Sequence, residues 1–110
     1  MKTEGQIRAV AFQEGDVWVI HGVEFDVVAQ AKDLMDAPAA FLKSLISTML
    51  INQRLGRNGL EKISAAPERY LEMFENATVE LKPLGPMPTT ELKRPNIDLR
   101  GYRPQQAAAN

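Results

Sequence analysis

The spacing of apolar residues changes once in the first half of the chain, and this change constrains the fold more than any other feature. Residues 5–31 are short runs rich in β-branched and aromatic residues, separated by glycine-containing turns, as in β-strands. From Asp36 to Leu55 the apolar residues recur every three or four positions, which is the period of an amphipathic helix. Short strands followed by one long helix predict an α+β domain.

Three strands are predicted, over residues 5–12, 17–21 and 25–31. Gly15 is available for the positive φ of the first turn, and residues 22–24 make the second bend. A single long helix covers one face of such a sheet. We therefore expect apolar positions on the other face, among them Ile20 and Val28, to be buried between subunits of a homo-oligomer, at least a dimer.

Two helices are predicted after the strands. If Asp36 caps the long helix, Pro38 falls at its second position, where no helical hydrogen bond is lost. Gly56 ends this helix. The connection over residues 57–66 has room for a short strand at 60–63, and a second helix is predicted from Pro67 to about Asn76.

The C-terminal part of the chain contains five of the seven prolines, which excludes long helices there. It is either a flexible tail or an extended arm that docks on its own domain or on a neighbouring copy. We favour the arm because a disordered tail would not need Ile97, Leu99 and Tyr102. The predicted organisation is an α+β domain over residues 1–77 and an extended or partly disordered tail over residues 78–110.

The predicted fold is therefore a small antiparallel sheet of three to four strands packed against one long helix, with a short second helix and an extended proline-rich C-terminal arm. A chain of 110 residues is long enough for one domain. It has no cysteine, which excludes disulfides and thiolate metal sites. We expect no signal peptide and no membrane association, because the longest apolar run is far shorter than the ~20 residues of a membrane span. The predicted location is cytoplasmic.

Acidic residues are concentrated in one stretch of the sequence. The net charge is −1, yet residues 14–36 contain six acids and a single base, Lys32. Such a surface repels phosphate backbones and suits a basic protein partner, although solvated loop acids are an equally good interpretation. Our candidate partner contacts are the acids of the two turns together with the only tryptophan, which is otherwise a core residue: Asp16, Trp18, Glu24 and Asp26.

The sequence offers no convincing catalytic or metal site. His21 is the only histidine, and no serine stands in a nucleophile-elbow context. Glu24 and Asp26 project the same way if strand geometry holds through the bend, but the other predicted elements supply no further carboxylates to complete a magnesium site. We predict that the protein is not an enzyme and that it needs no cofactor.

Two segments resemble the HicB-like family: EGDVWVIHGVEFDVVAQAKDL before the long helix, and SAAPERYLEMFENA after it. The resemblance covers roughly residues 6–77. It implies a reduced ribonuclease H-like domain that has lost its catalytic acids and that binds and masks a small ribonuclease toxin, often as an oligomer. The chain departs from the family in its DLMDAP helix start and in lacking an appended DNA-binding module. We therefore expect no direct DNA binding.

Two functions follow from this resemblance and from the acidic stretch. The first is a non-catalytic binding protein that masks a basic partner, toxin or otherwise. The alternative is an inhibitor encoded by a phage or mobile element, which blocks a host defence protein or sequesters a nucleotide signal. For the latter, three arginines of the tail are candidate anion ligands: Arg94, Arg100 and Arg103.

Overall fold

The protein is described by a computed structural model that places residues 6–81 and 96–103. The strands are β1 Gln6–Glu14, β2 Val17–Gly22, β3 Val28–Ala31, β4 Val79–Leu81 and β5 Asn96–Tyr102. The helices are α1 Ala37–Arg54, preceded by a 3-10 turn over Leu34–Asp36, and α2 Glu68–Glu75. The strands form one sheet in the order β3-β2-β1-β5-β4.

The sheet is mixed and has five strands, so the prediction of a three- to four-stranded antiparallel sheet was wrong. β1 pairs antiparallel with β2 and parallel with β5. The additional strands come from the C-terminal arm, whose residues 96–102 lie between β1 and β4. Ile97 and Leu99 are directly opposite Ile7 and Ala9, so they continue the apolar face of β1. The described part of the arm thus docks on its own domain, while residues 82–95 and 104–110 lie outside the described residues.

The two helices cover opposite faces of the sheet. One core contains Ala9, Ile20 and Leu99 beneath Phe41 and Leu45 of α1. The other is built on alternate residues of the same strands, with Val10 buried against Phe74 of α2 and with Phe12, Tyr70 and Tyr102 packed around them. Because α2 packs on the second face of the sheet, much of the apolar surface of that face is covered within one chain.

The pairing of β2 with β3 corrects one prediction about that second face. Ile20 is opposite Ala29, whereas Val28 is opposite His21, so Ile20 and Val28 lie on different faces. Ile20 is fully buried beneath α1 and is not available to another subunit, while Val28 is 46% exposed.

The start of α1 is confirmed, but other boundaries differ from the predictions. Asp36 occupies the N-cap position and Pro38 the second helical position. The predicted third strand begins three residues later, because the N–H of Val27 donates to the carbonyl oxygen of Phe25 at 2.7 Å and closes a tight turn. Residues 60–63 form turns instead of a strand, with Lys62 at a φ of 70°.

Helix α1 is unusually apolar for a helix with so much exposed surface. The segment Leu34–Arg54 meets the length and composition of a membrane-crossing helix, with a mean hydropathy of 1.4. Its inner side packs on the sheet through Phe41, Leu42 and Leu45. Only 28% of the apolar window is fully buried, and Leu50 and Ile51 are exposed on the outer side of the helix. The cytoplasmic location stays a prediction.

Candidate functional site

The outer edge of β3 presents unpaired backbone groups. The N–H of Gly22 donates to the carbonyl oxygen of Val27 at 2.8 Å, which identifies these residues as a hydrogen-bonded antiparallel pair. Hydrogen-bonded pairs alternate along a ladder, so Ala29 faces β2, whereas the N–H and C=O groups of Val28 and Gln30 face away from it. Within residues 6–81 and 96–103, no strand pairs with this side of β3.

The bend before β3 holds its two acids in different ways. Glu24 accepts a hydrogen bond from the backbone N–H of Arg8 at 2.7 Å and a second, charge-assisted one from the Nε of the same residue. Its carboxylate is therefore neutralised inside the chain. Asp26 is exposed, and its backbone N–H is anchored by the carbonyl oxygen of Ser64 at 2.7 Å. Asp26 is therefore the bend acid that a partner can reach.

His21 is a packing residue with one polar contact. Its ring stacks on Tyr70, with the ring centroids 3.7 Å apart and the planes within 12°. Its Nε2 lies 3.4 Å from Oδ1 of Asp26, and its Nδ1 lies 3.2 Å from the carbonyl oxygen of Gly22. The residue is 8% exposed. The stacked ring connects the bend to α2 and fixes the place from which Asp26 projects.

A shallow cleft of about 430 Å³ separates the bend from α1. The carboxylate-bearing Asp26 and the exposed Val28 form one wall, and Lys43 and Ser47 belong to the other. The complete lining is Asp26, Val27, Val28, Lys43, Ser44, Ser47, Thr48 and Ile63. The cleft adjoins the beginning of the free edge, so a segment lying along β3 can place side chains in it.

The structure does not bring the four predicted partner contacts together. Asp16 is exposed in the turn between β1 and β2, at the other end of β2 from Glu24 and Asp26. A six-residue strand separates them by roughly 20 Å. Trp18 is 8% exposed in the core beneath α1, so its ring is not a surface anchor.

The candidate anion ligands do not converge either. The guanidinium of Arg100 lies over the ring of Phe74, 4.3 Å from its centroid, and hydrogen-bonds to Asp98 at 3.3 and 3.4 Å. The guanidinium of Arg103 lies 5.9 Å from the ring centroid of Trp18, on the other face of the sheet. Both arginines thus have partners within the chain, and Arg94 lies outside the described residues.

No metal site is visible in the part of the chain that the structure describes, where no three His, Cys, Asp or Glu side chains cluster. Comparison of the chain with protein-family models, with curated protein sequences and with solved structures gives no match.

Sequence reasoning missed the feature that unites the site, which is the free backbone of Val28 and Gln30. The direction in which these groups point depends on how β2 and β3 pair, and residues 25–31 carry no signal for that register. Asp33 was counted in the acidic stretch but not among the partner contacts, although it follows β3 and is exposed at the end of the same edge.

Proposed function

We propose that this protein is a non-catalytic, HicB-like binding protein that masks a basic partner protein along the free edge of β3. The observation that carries the proposal is the combination of unpaired backbone at Val28 and Gln30 with exposed acids on both sides of it. Asp26 precedes the edge, and Asp33 follows it.

The edge supports docking by β-strand addition. Val28 and Gln30 together direct two N–H and two C=O groups outward, which is enough for four main-chain hydrogen bonds to an extended segment. Lys or Arg side chains of that segment would lie near Asp26 at one end and Asp33 at the other. The acids would speed encounter and select a basic partner, whereas the backbone hydrogen bonds would hold it.

Two features favour binding over catalysis at this place. Glu24, the acid nearest to Asp26 in sequence, is engaged by Arg8 and is not free to form a carboxylate pair with it. His21 is stacked and largely buried, which leaves little room for a substrate at its ring.

A charge-reversal experiment tests the acidic component. Tagged wild-type protein and the variant Asp26→Lys/Asp33→Lys are used to co-purify proteins from the native host, with identification by mass spectrometry. The control, Glu72→Lys/Glu75→Lys, makes the same charge change on exposed acids of α2. We expect a basic protein to co-purify with the wild type and with the control, and to be absent from the Asp26→Lys/Asp33→Lys sample. The same captured proteins with all three would refute the proposal, and the identity of the protein separates a toxin from a host defence target.

A proline substitution tests the backbone component. Gln30→Pro removes an N–H that points away from β2, so the ladder between β2 and β3 keeps its hydrogen bonds. We expect Gln30→Pro to retain the thermal unfolding midpoint to within a few degrees and to lose the co-purified partner, whereas Gln30→Ala keeps it. If folded Gln30→Pro captured the partner as well as Gln30→Ala, strand addition at β3 would be wrong.

A further inference from the structure

The outer face of α1 combines exposed apolar side chains with charged ones in a pattern that has an internal symmetry. Leu50 is 45% exposed and Ile51 is 57% exposed, and both lie in the C-terminal half of the helix. The N-terminal half of the same face carries the small residues Ala39 and Ala40, of which Ala39 is exposed. Large side chains therefore project from the C-terminal half of the face, and small side chains from the N-terminal half.

Opposite charges lie at the two ends of this face. Asp36 and Arg54 are 18 residues apart, about five helical turns, so they lie on one line along the helix. Both are exposed, and neither forms an ion pair within residues 6–81 and 96–103. Antiparallel packing of two such helices would place the acid of each beside the base of the other.

The apolar residues share the centre of symmetry that the charges define. Ala39 and Leu50 lie 11 residues apart, about three turns, on one side of the charged line, and Ala40 and Ile51 lie equally far apart on the other side. The midpoints of all three pairs fall at or within half a residue of Leu45. A two-fold axis at that level would therefore seat Leu50 beside Ala39 and Ile51 beside Ala40 of a second copy, while Asp36 meets Arg54.

We propose that two copies of this chain associate through the outer faces of their α1 helices, packed antiparallel about an axis near Leu45. The binding partner of this face is a second copy of the chain, because one antiparallel register pairs opposite charges and also pairs large side chains with small ones. This association uses side chains of α1 and not the outward backbone of β3, although Lys43 and Ser47 of the same helix also line the cleft beside β3.

The dimer is expected to be weak and concentration-dependent. The contact strip between Asp36 and Arg54 is about 27 Å long and one helix wide, which is smaller than a standard protein–protein interface. Lys43 also lies on this face, close to the axis, so the two copies bring like charges near each other. These features favour a reversible dimer that dissociates on dilution.

Sedimentation equilibrium of the purified full chain over a range of concentrations tests the proposal. We expect Asp36→Arg and Arg54→Asp each to weaken the dimer by about tenfold or more, and the double variant Asp36→Arg/Arg54→Asp to restore it. Damage to the helix alone cannot give this rescue, because both substitutions oppose the helix dipole and their structural costs would add. Lys43→Ala removes the like charges at the axis and should tighten the dimer.

The outcomes are distinct. A monomer at all concentrations, or a dimer whose affinity is unchanged by the single charge reversals, would overturn the α1 interface. So would failure of the double variant to recover while circular dichroism shows that it is folded. Partner capture at β3 is measured separately with Asp26→Lys/Asp33→Lys and Gln30→Pro, none of which changes a residue on the outer face of α1.

Discussion

Gly22 occupies the point where β2 turns into the acidic bend, and adding a single methyl group there tests the geometry of the whole site. A Cβ on Gly22 would lie 2.5 Å from the carbonyl oxygen of Phe25 and 3.2 Å from Cζ of Phe41. The oxygen belongs to the backbone of a turn closed by the hydrogen bond from Val27 to Phe25, so it cannot rotate away. Overpacking of this kind costs ~1–3 kcal/mol, and a weakened turn hydrogen bond adds about 1 kcal/mol. Alanine also lowers the conformational entropy of the unfolded chain, which stabilises the folded state by about 0.4–1 kcal/mol.

We therefore expect Gly22→Ala to lower the free energy of unfolding by about 2–3 kcal/mol. The matched control is Gly101→Ala, in a second buried strand glycine, where the new Cβ would make an ordinary contact of 3.4 Å with Cβ of Val79. Urea unfolding followed by the fluorescence of Trp18, the only tryptophan, measures both variants. With a typical urea m-value, the midpoint of Gly22→Ala should fall by about 1–2 M. Free energies for the two variants within about 0.5 kcal/mol of each other would show that the bend is not closed as described.

Two further predictions concern the contacts that position the long loop and the bend. Asn52 is 2% exposed and donates from its Nδ2 to the carbonyl oxygens of Gly59 and Glu61 at 2.9 and 3.0 Å. Asn52→Ala should therefore lower the free energy of unfolding in urea by about 2 kcal/mol. Asn52→Asp should lower it further, because a carboxylate donates a hydrogen bond to neither carbonyl. Equal stability of Asn52→Asp and the wild type would contradict these two hydrogen bonds. Tyr70→Ala should lower the free energy of unfolding by about 2–3 kcal/mol, because the ring that stacks on His21 is lost. Tyr70→Phe keeps the ring and should lower it by less than about 0.5 kcal/mol. Similar losses for the two variants would assign the effect to the hydroxyl instead of the ring.

Residues that act through local geometry were predicted well. The N-cap at Asp36 with Pro38 in the second helical position, and the turn at Gly15 with a φ of 63°, depend only on the neighbouring backbone. The candidate site was predicted poorly, because two of its four residues have partners that are distant in sequence. Glu24 is held by Arg8, 16 residues earlier, and Trp18 is covered by α1. Asp16 and Asp26 kept the exposure that the prediction required, but they lie at opposite ends of β2.

The local elements follow from the amino-acid sequence alone, since the change of apolar period, the turn glycine and the helix start act over a few residues. Three features emerge only in the folded protein: residues 96–102 pair parallel to β1, α2 covers the second face, and Val28 and Gln30 turn their backbone outward. The first two depend on contacts between segments far apart in the chain, and the third depends on how the neighbouring strands β2 and β3 pair. The physical reason is that a strand's apolar pattern shows which residues share a face, but not which strand lies beside it or in which register.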